Sequence, residues 1–127
     1  MKLSSFLLLK AVISLIFGIS FLIYPTVAMS IYGVALDEIG ILMVRFFGGG
    51  LIGIGLICLY QRNTSFETLQ SILLALFVAD AIGFFVALQA QVTGLMNYAG
   101  WSVVAVWLLL ALGLFYFRFK KQKPTAI

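Results

Sequence analysis

The chain reads as an all-α protein: a polytopic four-helix transmembrane bundle, with a short interfacial segment between helices 1 and 2. Three observations predict it. Four apolar stretches recur, each close to the ~20 residues a helix needs to cross about 30 Å of hydrocarbon. Hydrophobic residues make up 64% of the 127 and charged residues only 9%, against roughly 45–50% and about 25% in soluble domains. The charges also cluster at the ends of the apolar stretches. So much apolar surface fits a lipid solvent, and a single membrane domain over residues 1–127 leaves no room for a separate soluble one.

The spans fall at about 5–24, 39–60, 69–90 and 101–119. The runs are continuous rather than alternating, and an open strand edge cannot face lipid, so sheet is excluded. Span one ends at Tyr24-Pro25. It is too long for the core of a signal peptide and is interrupted by Lys10, so it is expected to be retained. Val27–Leu36 is apolar but too short to cross, which predicts a short helix or re-entrant turn at the interface. Gln61–Glu67 is a tight polar turn, with Ser65 placed to start the third helix. Gln91–Gly100 is polar and uncharged, and Gln89, Gln91, Thr93 and Asn97 read as ordinary loop residues.

Charge placement predicts the orientation. Four spans put both termini and the middle loop on one side. That side carries Lys2, Arg62, Arg118, Lys120, Lys121 and Lys123, and the other has Asp37 and Glu38 but no basic loop residue. Basic residues stay cytoplasmic, so both termini are expected inside. Tyr24, Tyr32, Tyr98 and Trp101 would mark the outer interface, and Tyr60 and Tyr116 the inner one. The net charge of +4 follows from this pattern and does not suggest nucleic acid.

The sequence has no histidine and one cysteine, Cys58. An intrachain disulfide is therefore impossible, and neither a His/Cys metal site nor a histidine-based catalytic group is expected. No cofactor is implied.

The candidate functional residues are the ionisable ones inside the spans. Asp80 lies in span three and Arg45 in span two. Charge at bilayer depth calls for a partner, a wet cavity or a role in transport. Counted from the outer ends, Arg45 is six residues below Ile39, ~9 Å, and Asp80 ten below Ala90, ~15 Å. A guanidinium can bridge that difference, which predicts an Arg45–Asp80 ion pair. Lys10, with Ser14 and Gly18 at four-residue spacing, either snorkels to the near interface or adds to the polar interior. Gly49 and Gly53 form a GxxxG pair on Arg45's face, and Gly83 lies beside Asp80, so Gly18, Gly49, Gly53 and Gly83 are expected to pack helices. Arg118, Lys120, Lys121 and Lys123 suit anionic lipid headgroups.

Tyr24-Pro25, the segment SIYGV, Arg45-Phe46-Phe47-Gly48 and the run GGGLIGIGLICL occur in an order that resembles small four-span bacterial integral membrane proteins catalogued as domains of unknown function. The resemblance covers most of the chain. It implies a four-helix fold and a bacterial inner membrane, and it implies no activity. The function expected is that of a non-enzymatic accessory or scaffold subunit, binding the bilayer's lipids, other membrane proteins or copies of itself. The alternative is a homo-oligomeric transporter or channel for a proton, small ion or small anion, using Asp80 and Arg45.

Overall fold

The computed structural model describes residues 1–120, and all regular structure among them is helical. The elements are α1 (Leu3–Ile23), α2 (Pro25–Ser30), α3 (Glu38–Gln61), α4 (Phe66–Val92) and α5 (Gly100–Phe119). The four long helices are each long and apolar enough to cross a membrane. Their outward faces are largely apolar, with Ile16, Phe46, Ile82 and Leu109 among many large exposed side chains. A multi-pass membrane protein accounts for that surface, because lipid imposes no cost on it.

Local chemistry sets the breaks. Pro25 has no N–H to continue α1 and instead takes the first position of α2, where none is needed. The short interfacial segment is thus a six-residue helix, followed by a turn in which Gly33 adopts φ 74°. Asp37 caps α3 by accepting the Gly40 N–H at 2.7 Å. Ser65 stands at the N-cap of α4 but bonds the Thr68 hydroxyl at 3.1 Å rather than the backbone.

Packing divides the bundle into two hairpins, α1 on α3 and α4 on α5. At the end carrying the termini the hairpins fuse. Leu7 and Ala11 of α1, Cys58 of α3, Leu69 and Leu73 of α4, and Leu114 of α5 share one core there. Phe6 of α1 reaches α5, with its ring 5.3 Å from that of Phe117. At the far end the core is confined to the first hairpin and α2, around Phe21, Ala28 and Leu51. Beyond the shared core a gap separates the hairpins.

The α1–α3 contact depends on glycines, but not on the GxxxG pair. A β-carbon on Gly18 would stand 2.8 Å from the Gly48 carbonyl oxygen, and one on Gly48 would stand 2.7 Å from the Gly18 oxygen. Both distances are too short, so only hydrogen at Cα permits the approach. Gly49 and Gly53 have nothing within 4 Å of the corresponding position, because they face outward. Of the four glycines expected to pack helices, these two meet none among the described residues. Gly18 lies in a close contact, and so does Gly83, where a β-carbon would overlap the Trp107 ring.

Gly48→Ala is expected to destabilise the protein by about 1–3 kcal/mol, the usual cost of overpacking. Gly53→Ala is expected to change stability by no more than ~0.5 kcal/mol, as at an unconstrained surface position. Thermal unfolding of both variants in one detergent checks this, and equal losses would contradict the packing described.

Candidate functional site

The charged groups inside the bundle pair differently from the sequence expectation. Lys10 Nζ donates to Asp80 Oδ2 at 2.7 Å and to Oδ1 at 2.9 Å. Both residues are 2% exposed. Arg45 is exposed on the outer surface of α3, beside a shallow groove formed with Leu22, Phe46, Gly49 and Gly50. The expected Arg45–Asp80 pair is therefore corrected to Lys10–Asp80. The reason is rotational: α3 turns Gly48, Leu51, Gly55 and Cys58 inward, which leaves Arg45 on the outer flank of the helix. Lys10 belongs to the inward stripe of α1, with Leu7, Ala11, Ser14 and Gly18. Its ammonium is buried against Asp80 and does not snorkel.

Above the pair, in the gap between the hairpins, lies a cavity of about 530 Å³. That is within the ~300–1,000 Å³ of sites that enclose small molecules. Its floor is formed by Lys10, Asp80 and Ser14, and its walls are apolar, with Phe17, Phe21, Phe47, Ala87 and Trp107 contributing. Met29, Tyr32 and Met96 line it towards the far end. Phe21 and Phe47 stack with centroids 5.8 Å apart, and Phe47 approaches Trp107 of the other hairpin at 6.5 Å. An aromatic path thus crosses the gap. Gly83 holds one end of it by letting the indole lie against α4.

The far-end loops are tied by a residue expected to be ordinary. Asn97 donates its N–H to the Tyr32 carbonyl at 2.9 Å and its side-chain amide to the Ile31 carbonyl at 3.0 Å. Nothing in the sequence distinguishes Asn97 from its polar neighbours, since its partners are backbone atoms 65 or more positions away. Tyr32 is buried beneath this clasp and does not mark the interface. Burial raises its phenol above the ordinary range, so it remains a neutral O–H group. Tyr24, Tyr98, Trp101, Tyr60 and Tyr116 are exposed.

Of the residues expected to meet lipid headgroups, Arg118 is half-buried with its guanidinium 5.1 Å from the Phe119 ring centre, and Lys120 is exposed over Tyr116. Lys121 and Lys123 lie outside the described residues. Among those described, no three His, Cys, Asp or Glu side chains gather as a metal site would require.

The fold and site define a small multi-pass membrane protein: two helical hairpins fused at one end, with a buried ion pair beneath an apolar cavity. The chain belongs to the DUF8292 family, a domain of unknown function whose family model matches residues 8–125. No curated protein and no solved structure matches it.

Lys10→Met or Asp80→Leu alone is expected to cost about 3–5 kcal/mol, because each strands a buried charge, whereas the double substitution recovers most of the loss. Arg45→Leu is expected to leave stability nearly unchanged. Unfolding of the four variants in detergent tests this, and strictly additive single losses would count against the pair.

Proposed function

We propose that the protein is a non-enzymatic binder of an amphiphilic molecule dissolved in the bilayer, held in the cavity between the hairpins. It would reside in the bacterial inner membrane with both termini cytoplasmic, as the basic residues at that end favour. The observation that carries the reading is the shape and polarity of the cavity: an apolar chamber ending on a buried polar floor. Sites for small molecules have this combination of apolar walls and few polar groups. The apolar core packed beneath the pair among the described residues supports binding over conduction.

The accessory-subunit reading keeps one observation of its own. The α3 face bearing Arg45, Gly49 and Gly53 is exposed and apart from the cavity, and small-residue faces are where membrane helices associate. A stoichiometric foreign chain in native mass spectrometry of the gently extracted protein would favour it.

Binding is tested by photolabelling in proteoliposomes with a lipid-soluble diazirine probe, followed by mapping of the labelled residues. Label is expected on cavity-wall residues such as Phe17, Phe47 and Trp107. Ala87→Phe, which places a ring in the cavity, is expected to reduce that label about tenfold, a loss of roughly 1.4 kcal/mol in binding. Labelling confined to the outer helix faces and unaffected by Ala87→Phe would refute the proposal.

A further inference from the structure

Ser14 has no role in the fold that accounts for it. It is 4% exposed, lines the cavity, and stands one helical turn from Lys10 on the same face of α1. Ser20 and Ser30 return their hydroxyls to the backbone, donating to the Ile16 carbonyl at 2.7 Å and to that of Val27 at 2.6 Å, while the helical serines without a side-chain bond, Ser5 and Ser71, are exposed. Ser14 makes no side-chain hydrogen bond among the described residues, so its hydroxyl is left for the cavity. The lysine ammonium has a similar remainder. It carries three N–H donors, and its bonds to Asp80 run to the two carboxylate oxygens, which leaves one donor uncommitted. The floor thus offers one hydroxyl and one N–H, and its formal charge is already zero.

That arrangement selects a head group. An anion or a cation would bring an uncompensated charge into an apolar chamber, where burial is strongly unfavourable. A pure hydrocarbon would leave the Ser14 hydroxyl and the third N–H unpaired, which is also unfavourable. We propose that the occupant is a neutral amphiphile, a single apolar chain or ring system ending in an uncharged oxygen group, carbonyl or hydroxyl. The oxygen accepts from Ser14 Oγ–H and from the free Lys10 N–H. This inference rests on the binding reading above and assigns the class of molecule to it.

The test uses probes with one common diazirine-bearing tail and five ends: primary alcohol, methyl ketone, carboxylate, trimethylammonium and methyl. Each is applied to the full chain in neutral-lipid vesicles, and labelling of the cavity wall is measured. The alcohol and ketone are expected to label at about tenfold lower concentration than the other three. Ser14→Ala should abolish their advantage over the methyl-ended probe while that probe still labels, and Ser14→Thr, which keeps the hydroxyl, should retain it. Preferential labelling by the carboxylate or the ammonium probe would overturn the head assignment while leaving cavity binding intact. Equal labelling by alcohol and hydrocarbon would overturn it too, because the Ser14 hydroxyl would then be satisfied by water. Failure of every probe to reach the cavity wall would overturn the binding reading itself.

Discussion

Two charges buried in an apolar bundle must meet each other, and the Lys10–Asp80 contact is where the hairpins are obliged to agree. The shared core could tolerate small slides of one apolar surface over another. A carboxylate and an ammonium within 3 Å cannot, since separating them in so weakly polar a medium leaves both without compensation. The pair therefore fixes the axial position of α4 relative to α1. It also lies at the boundary between the fused half of the bundle and the open half. Below it apolar side chains fill the interior, and above it the cavity begins.

Much of this was legible in the sequence, for physical reasons. Four apolar stretches of spanning length, Pro25 at a break, and charge gathered at the ends suffice for the helices. In lipid the backbone must bond to itself, so length and hydropathy alone decide the element. The rotation of each helix was harder to read, because apolar residues cover every face and the usual contrast between inside and outside disappears. Span two shows this best. In GGGLIGIG small residues appear on both sides of the helix. One face runs through Gly49 and Gly53, a GxxxG pair, and another through Gly48 and Gly55. Only the second meets a neighbour. Arg45 followed the wrong face, and the pairing followed Arg45.

The Lys10 stripe carried a clearer signal. Ala11, Ser14 and Gly18 put three small residues on one face of α1, and Lys10 shares that face. A long cationic stem reads as a snorkelling residue wherever an interface is within reach. Here an acidic partner across the bundle outcompetes water, and that partner lies 70 positions away. The Asn97 clasp was illegible for a similar reason, since it recognises carbonyl oxygens, which every residue has. The cavity was not legible either, since it arises from the space left between two pairs of helices and no residue type encodes it.

The Asn97 clasp joins the hairpins a second time. At the terminal end they share the core around Leu7, Leu73 and Leu114, and at the far end the loop before α5 is bonded to the Ile31 and Tyr32 carbonyls after α2. The chamber lies between these two ties. Widening it therefore means bowing helices between two anchored ends, like a string held at both pegs, rather than swinging one hairpin away from the other.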